Sequence, residues 1–376
     1  MPTTNDSSIT TLPATNRQKS SLVAIVKTRP QTVLEDYDRL MELARYHETL
    51  DARQETLLKL NLSWTKYFPA CSSQPWQVEG VVKKLSEDGF AREKLIPVEN
   101  KTVVTNPRKG CKNNRWEGTL QRYGLTFTPL PEVEWETYNF KSPLLKLNDI
   151  FPEGIEIPTL YPGRQIVHLP TVKTHGHAVT TGAVKNSFGG LLKEVRHYAH
   201  KYMHEVLVDL LYMQRELHPA VFTVMDGTVC GDGAGPRTMI PRIHNFILAS
   251  ADSVAIDAVA AKIMGFEPMS IPFLRMAHER DLGVAELRDI EIVGEDISEV
   301  NFGFKTRKSL VIWGDQLIRK GWLRPLERLL LHSPLVVWAP FASNVYHDCL
   351  WYPTIGKMRI SEFMKTEWGQ LFKTYN

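Results

Sequence analysis

A strand, a polar loop and an amphipathic helix follow one another between residues 56 and 89, and this order constrains the fold most strongly. The run from Thr56 to Leu62 is apolar enough to form a buried strand. After a serine-containing loop and Pro75, apolar residues recur at helical spacing, and Gly89 is placed to end the helix. The repeating positions are Val78, Val81, Val82 and Leu85. Such strand–helix units imply a mainly parallel sheet, which binds ligands at the carboxyl ends of its strands.

Further periodic segments extend the same architecture. Apolar runs predict three more strands, at 22–26, 165–170 and 221–225. The spacing of apolar residues predicts a long helix over 193–216, and an Ala-rich helix runs from Asp252 as its N-cap to Gly265. The sequence therefore predicts an α/β fold of mainly parallel sheets flanked by helices, with two α/β lobes around a cleft.

The composition divides the chain into three regions. Residues 1–20 are rich in Ser, Thr, Asn and Pro and are expected to be a disordered lead. Residues 21–302 form the α/β region, in which 100–160 serves as a cap or an insertion, and 303–376 form a helical, basic, Trp-rich extension. Because no window approaches about 18 consecutive apolar residues, we expect no transmembrane helix and a cytoplasmic location.

Charge and cysteine content argue against several classes of protein. The chain has 45 Lys and Arg residues against 42 Asp and Glu, a formal net charge of +3. Dedicated nucleic-acid binders usually carry a strong basic excess, so no nucleic-acid partner is expected. The four cysteines form no CxxC pair, which argues against a disulfide scaffold, a zinc ribbon and an intrinsic iron–sulfur cluster.

The densest group of chemically active side chains lies between residues 173 and 190. Lys173 and Lys185 can neutralise a carboxylate or a phosphate, and His175 can act as a general acid or base near neutral pH. Three further polar side chains suited to the same ligand are Thr174, Thr181 and Asn186. The alternative is an ordinary surface loop with solvated lysines.

Two other loops are candidates for the same site. Lys59, Asn61 and Ser73 lie at the carboxyl end of the 56–62 strand and in the loop that follows it. They are predicted to bind substrate or cofactor.

The segment 226–236 is glycine-rich and follows the strand at 221–225. Gly233 and Gly235 allow close backbone approach to a ligand, although their spacing fits neither a P-loop nor a dinucleotide fingerprint. Asp226 is a candidate catalytic acid, base or ligand, with a turn-forming Asp-Gly pair as the competing explanation. Asp257, on the Ala-rich helix, is either paired in the core or directed at the site.

A histidine cluster indicates a possible metal site. His200 shares a helix face with His197 or His204, at i, i+3 and i, i+4. Two imidazoles can ligate a divalent metal, but a zinc motif of the HExxH type needs a glutamate where Lys201 stands. The alternative is a helix with partly buried histidines, and the sequence identifies no further ligand.

These segments, in this order, resemble the bacterial and archaeal domain-of-unknown-function 362 family over about residues 22–296. The resemblance is carried by Leu58–Leu62, Ser73–Pro75, Lys173–His175, Thr181–Asn186, His200–Lys201, Asp226–Gly227, Gly233–Pro236 and Ala249–Gly265. Leu60 stands where the family usually has proline, and the ferredoxin-like cysteine clusters of many relatives are absent. The resemblance implies an α/β fold and assigns no activity.

The order His175, Lys185, His200 also looks like the arrangement in nickel-pincer lactate racemases. That likeness implies an acid/base role for His175, a cofactor or anion anchor at Lys185 and a possible metal ligand at His200. A nickel-pincer nucleotide or a divalent metal is therefore a possible cofactor.

The C-terminal extension carries a separate signal. Residues 303–330 hold seven basic residues against two acidic ones, and four tryptophans lie between 313 and 351. A segment of this kind can contact a membrane surface, a protein partner or a second copy through 303–351, or it can pack back on the domain.

The sequence thus predicts an enzyme that acts on a small anionic substrate, a carboxylate or a phosphate, by acid/base chemistry. Its reaction is an isomerisation or racemisation, or a redox step with an external partner. The alternative is a non-catalytic ligand-binding or assembly protein that recruits a partner through its C-terminal segment.

Overall fold

A computed structural model of the chain describes residues 21–102, 105–193, 199–307, 313–314, 318, 321 and 338–376. Its strands are β1 (Ser21–Lys27), β2 (Thr56–Lys59), β3 (Leu95–Glu99), β4 (Thr128–Pro129), β5 (Trp135–Tyr138), β6 (Ile155–Pro158), β7 (Gln165–His168), β8 (Thr171–His175), β9 (Val179–Thr181), β10 (Val221–Ala234), β11 (Thr238–Ser250) and β12 (Ile290–Gly294). Ten strands form one sheet in the order β12–β1–β11–β10–β7–β2–β3–β4, with β8 paired to β10 and β9 paired to β8, while β5 and β6 pair separately.

The central strands of this sheet are parallel. β10, β7, β2, β3 and β4 each run parallel to the next. All four residues of β2 and of β7 are buried, as expected of strands covered on both faces. β11 is antiparallel to β10 and β1, and β1 is parallel to β12. The predicted α/β class is confirmed. The sequence suggested two lobes, but these ten strands form one continuous sheet.

Helices cover both faces of the sheet. They are α1 (Val33–Leu43), α2 (Pro75–Glu87), α3 (Pro107–Asn113), α4 (Trp116–Arg122), α5 (Leu147–Ile150), α6 (Ala183–Leu191), α7 (Met203–Leu217), α8 (Ser253–Met264), α9 (Pro272–His278), α10 (Trp338–Asn344), α11 (Lys357–Phe363) and α12 (Glu367–Thr374). A π-helical segment, Val345–Gly356, joins α10 to α11. One buried cluster lies under α1, α2 and α4, and the other lies under α6 to α9.

The chain leaves β2 and β7 toward opposite faces. From β2 it passes through α2, on one face, to β3, whereas from β7 and β8 it passes through α6 and α7, on the other face, to β10. Adjacent strands whose connections diverge in this way leave a crevice at their carboxyl ends, where open α/β sheets bind ligands. The candidate site is built at this point.

Several predicted elements are confirmed. The strands predicted at 22–26, 165–170 and 221–225 correspond to β1, β7 and β10. Asp252 caps α8 by accepting the N–H groups of Val254 and Ala255 at 2.8 and 3.0 Å, and Gly265 ends it with a φ of 100°. α2 begins at Pro75 as predicted, but Gln74 rather than a serine occupies its N-cap position.

Other predictions are wrong in detail. The helix predicted over 193–216 begins at Met203, because residues 199–202 form a tighter 3-10 turn that also satisfies a spacing of three. The segment 171–190, for which an ordinary surface loop was the alternative, instead contains the strands β8 and β9 and the helix α6. The glycine-rich run 226–234 continues β10 rather than forming a loop. His197, the lead at 1–20 and most of 308–337 lie outside the described residues.

The described part of the C-terminal extension packs back on the domain. Trp368 lies against Trp76 of α2 with ring centroids 4.9 Å apart, and Phe372 stacks on Tyr67 at 3.9 Å. The indole N–H of Trp368 also donates to Asn245 Oδ1 at 2.7 Å. No helix in the described ranges is long and apolar enough to cross a membrane.

Candidate functional site

Lys59 and Glu99 form a buried ion pair at the carboxyl ends of β2 and β3. Lys59 Nζ lies 2.8 Å from Glu99 Oε1 and donates a second hydrogen bond to the Leu60 carbonyl at 2.6 Å. Both side chains are almost fully buried, so this charge is neutralised inside the fold. These contacts give Lys59 a structural role between β2 and β3, and its predicted contact with a ligand stays a prediction.

Lys173, at the centre of β8, is held by three acceptors. Its Nζ donates to Asn61 Oδ1 at 2.5 Å, to Thr171 Oγ1 at 2.6 Å and to the Cys71 carbonyl at 3.0 Å. Burial lowers the pKa of Lys173 to about 8, because the charged ammonium loses its water. Lys173 thus fixes β8 to the loop after β2.

Asn61, Asn186 and Ser73 connect the elements around this lysine. Asn61 Nδ2 donates to Asn186 Oδ1 at 3.2 Å, and Asn186 Nδ2 donates to the Lys59 carbonyl at 3.0 Å. Ser73 Oγ accepts the Asn61 N–H at 2.8 Å and donates to the Leu169 carbonyl at 2.7 Å. The structure therefore brings together Lys59, Asn61, Ser73, Lys173 and Asn186, which the sequence had grouped from three separate segments.

His175 ends β8 as a buried, neutral imidazole. Its Nδ1 lies 3.2 Å from the N–H groups of both His177 and Ala178, which it accepts. Burial first, and then the nearby Lys185, His177, His200 and Lys173, hold the pKa of His175 well below its usual value. Because Nδ1 accepts, the proton of the neutral ring is assigned to Nε2, which is left as a donor.

A cavity of about 210 Å³ lies beside this imidazole chain. The ring centroids of His175 and His177 are 5.9 Å apart, and those of His177 and His200 are 5.5 Å apart. The residues that line the cavity are His177, His200, Lys201, Met203, His204, Glu205, Pro272 and Met276. His200 and His177 therefore connect the buried His175 to a space large enough for a small molecule.

The comparison with known families matches the region that builds this site. The family described as domain of unknown function (DUF362) matches residues 56–262, more than half of the chain. The chain belongs to this family. Every predicted site residue of this DUF362 member, from Lys59 to Gly235, lies within the matched region.

Individual relatives match only part of the chain. The chain is 29% identical over 122 residues to a thylakoid-associated protein of Synechocystis sp.. That match covers 32% of this chain and 37% of the relative, so the chain spans little more than a third of the relative's length. A crystal structure of a Thermotoga maritima protein aligns at a TM-score of 0.40 and 11% identity, covering 67% of this chain and 59% of that one.

Asp226 lies among partners of its own in this DUF362 member. Its carboxylate accepts the hydroxyl of Tyr37 at 2.7 Å, the indole N–H of Trp76 at 3.0 Å, and the N–H and hydroxyl of Thr228 at 3.1 and 2.8 Å. Burial raises the pKa of Asp226 to about 6. None of these contacts involves His175, so the arrangement favours a structural tie between α1, α2 and β10 over the predicted catalytic role.

The threonines and glycines that were predicted to bind a ligand make contacts between strands. Thr174 Oγ1 donates to the carbonyls of Gly231 and Gly233 at 3.3 and 3.0 Å, and a Cβ on Gly235 would lie 1.8 Å from the Thr174 carbonyl oxygen. Thr181 Oγ1 donates to the Thr171 and Lys173 carbonyls. These residues hold β8 against β10 and β9 against β8, and they thereby fix the strand that ends in His175.

Sequence reasoning missed part of the cavity lining. His177 and Lys201 were seen only as neighbours of other residues, and Glu205 was not considered; the i, i+4 spacing of His200 and His204 was the available signal. Among the residues whose positions are described, no group of three or more His, Cys, Asp or Glu side chains is arranged to hold a metal ion. The cavity, of about 210 Å³, is smaller than the roughly 300–1,000 Å³ of pockets for drug-sized ligands.

Proposed function

We propose that this chain binds a small anionic molecule, a carboxylate or a phosphate, in the cavity beside His175 and acts on it as an enzyme. The observation that carries the proposal is that His177, His200 and Lys201 line the cavity, with Glu205 as the one carboxylate, and that His177 lies against His175. Lys185 is close enough to His175 to lower its pKa. Cationic and N–H groups in a site of low dielectric attract an anion more strongly than they would in water.

We assign the proton donor to His175, which is linked to the cavity through the neighbouring ring of His177. A neutral imidazole whose Nε2 carries the proton donates a hydrogen bond to an oxygen that gains negative charge, as in an enediolate formed α to a carboxylate. Such an isomerisation also needs a base, and His177 and His200, which line the cavity, are the candidates. The cavity volume of about 210 Å³ restricts the substrate to a small molecule.

The proposal is tested by incubating the protein in D₂O with a panel of small 2-hydroxy carboxylates and following deuterium incorporation at the α carbon by NMR. We expect His175→Gln to reduce exchange by roughly 10²–10⁴-fold, the usual contribution of such a group. Lys185→Gln is expected to raise KM. The control is Lys83→Gln, because Lys83 pairs with Glu87 on the exposed side of α2.

Native mass spectrometry of the purified protein complements this assay by identifying any co-purifying anion. A native protein that binds such an anion without converting it would favour the rival function of a binding or assembly protein. Full exchange activity in both the His175 and the Lys185 variants would show that the proposed site is wrong.

A further inference from the structure

Arg237, in the turn between β10 and β11, is a half-buried arginine that has no carboxylate partner. Its Nη2 donates to Ser343 Oγ at 3.0 Å, and no carboxylate oxygen of the described residues lies within 4.0 Å of its guanidinium. Buried arginines are normally paired, because a guanidinium has five N–H donors and a permanent charge. Arg237 therefore has the charge and the donors to bind an anion.

The carboxylate that acts on Arg237 from a distance is engaged elsewhere. Asp348 Oδ1 accepts the indole N–H of Trp64 at 2.7 Å and lies 4.0 Å from Lys66 Nζ. Burial lowers the pKa of Arg237 to about 10, and the charge of Asp348 opposes this shift only in part. Burial, and then Arg237 itself, lower the pKa of His347 to about 3. The surroundings of Arg237 thus keep an uncompensated positive charge.

Lys173 supplies a second buried positive charge close by. Its three hydrogen-bond acceptors are uncharged, and within the described ranges no carboxylate oxygen lies within 4.0 Å of its Nζ. One acceptor is the carbonyl of Cys71, whose thiol donates to the carbonyl of Pro236, the residue before Arg237, at 3.1 Å. Both cations are close enough to this thiol to oppose the rise that burial causes in its pKa. Two uncompensated cations therefore adjoin Cys71.

The residues after Cys71 add neutral groups that suit an anion. Ser72 is 1% exposed, and its hydroxyl has no hydrogen-bond partner in the described part of the chain. A buried hydroxyl without a partner costs free energy unless a ligand or a water molecule satisfies it. Three residues later α2 begins at Pro75, and the positive end of the dipole of this 13-residue helix lies here.

We propose that Arg237 and Ser72 bind the oxygens of a phosphate group, free or carried by a small molecule, and that Lys173 helps to balance its charge. Two uncompensated cations match a dianion, and a phosphate group carries about −1.5 to −2 charges at neutral pH. The planar guanidinium can donate to two phosphate oxygens at once. The N–H groups of Lys173 are already used, so this residue contributes through its charge.

This phosphate site does not depend on the function proposed for the cavity beside His175. None of the residues that line that cavity belongs to the group around Arg237. Deuterium exchange in Arg237→Gln should equal the native rate, so that the two proposals can fail separately.

The test is isothermal titration calorimetry of the full chain with inorganic phosphate and, separately, with glycerol 3-phosphate, at constant ionic strength. We expect Arg237→Gln to raise the Kd for phosphate at least about tenfold, because it removes charged hydrogen bonds. Ser72→Ala should raise it about 2–10-fold. Binding of both compounds assigns the site to free phosphate as well as to its esters, whereas binding of glycerol 3-phosphate alone assigns it to an ester.

The matched control is Arg164→Gln, which changes the charge equally at the amino ends of β2 and β7. Arg164 is paired with Glu55 at 2.9 Å, so the loss of its guanidinium should leave the Kd for phosphate unchanged. Equal effects of Arg164→Gln and Arg237→Gln would show that phosphate responds only to net charge, and would overturn the proposal.

Thermal unfolding separates a binding role of Arg237 from a structural one. In phosphate-free buffer Arg237→Gln should keep or raise the native Tm, because a buried charge without a partner is removed. Added phosphate should raise the Tm of the native protein but not that of the variant. A lower Tm of the variant, with no effect of phosphate on either protein, would make Arg237 a structural residue and overturn the proposal. Tighter binding of acetate than of phosphate would overturn the assignment to a phosphate group.

Discussion

At the scale of single residues, the floor of the site depends on a close approach between α6 and β2. A Cβ on Gly190 would lie 2.4 Å from the hydroxyl oxygen of Tyr161 and 3.0 Å from Lys59 Cε. Tyr161 is fully buried and Lys59 is fixed by Glu99, so neither can move aside cheaply. Gly190 therefore lets the helix that carries Lys185 and Asn186 rest directly on the buried ion pair.

Gly190→Ala and Gly189→Ala form a matched pair that tests this packing. We expect Gly190→Ala to lower the free energy of unfolding by about 1–3 kcal/mol, the usual cost of overpacking. At Gly189 an added Cβ would meet its nearest atoms at 3.5 and 3.6 Å, which is ordinary contact. Gly189→Ala should therefore be neutral or stabilise the helix by up to about 1 kcal/mol. Urea unfolding measures both, and equal effects at the two positions would contradict the packing argument.

At the scale of elements, Asp257 joins α8 to the start of α6. Its two carboxylate oxygens accept the N–H groups of Ala183 and Val184 at 2.6 and 3.1 Å. A Cβ on Gly182 would lie 2.0 Å from Asp257 Oδ1, so the glycine leaves room for this cap. The sequence left open whether Asp257 was paired in the core or directed at the site; the structure pairs it with the helix that supplies Lys185.

Burial raises the pKa of Asp257 to about 7, and this has a measurable consequence for stability. Between pH of about 4 and about 7 the native state keeps a proton that the unfolded state releases, so the contribution of Asp257 to stability falls as the pH rises. The unfolding free energy of the native protein minus that of Asp257→Asn should decline across this window, by up to about 1.4 kcal/mol per pH unit. Parallel profiles for the two proteins would show that Asp257 does not titrate there.

Sequence patterns predicted the helices and strands better than the contacts between residues that are distant in the chain. The βα unit at 56–89 and the α8 caps follow from local spacing and capping, so they were predicted. Lys173 and Asn61 are 112 residues apart in the chain, and no local pattern shows that the lysine is buried and paired instead of solvated. For the same reason His175 was identified as reactive, while its link through His177 to a cavity lined by α7 and α9 required the fold.

At the scale of the whole molecule, buried neutral histidines set the response to acid. Burial lowers the pKa of His168 and of His347 to about 3, and that of His218 to about 4. Below about pH 6.5 each of these histidines binds a proton in the unfolded state, whereas in the native state it stays neutral until the pH is much lower. The raised pKa values of Asp226 and Asp257 have the opposite effect, since they favour the native state as the pH falls. The three histidines outnumber these two carboxylates, so the histidine effect is the larger.

We therefore expect the free energy of unfolding to decrease as the pH is lowered from about 6.5 toward about 4. The stabilising contribution of these histidines is complete above pH 6.5. It is lost as the pH falls, because each histidine then gains a proton in the unfolded state but not in the native state. His168→Gln should flatten part of the decline, because glutamine does not titrate. Urea unfolding at a series of pH values measures the slope, and an unchanged slope in the variant would contradict this assignment.

The position of β1 has a consequence for the order of events during synthesis. β1 is made before every other strand that the structure describes, yet it pairs with Phe246–Ala249 of β11 and with Ile290–Gly294 of β12. At about 5–20 residues per second, the ribosome reaches residue 294 roughly 13–50 seconds after residue 27. Until residues 246–249 have been made, Val23 and Ile25, which are fully buried in the finished sheet, have neither neighbouring strand to pair with. The nascent chain thus carries β1 as an unpaired apolar segment while the more than 200 residues between β1 and its partner in β11 are made.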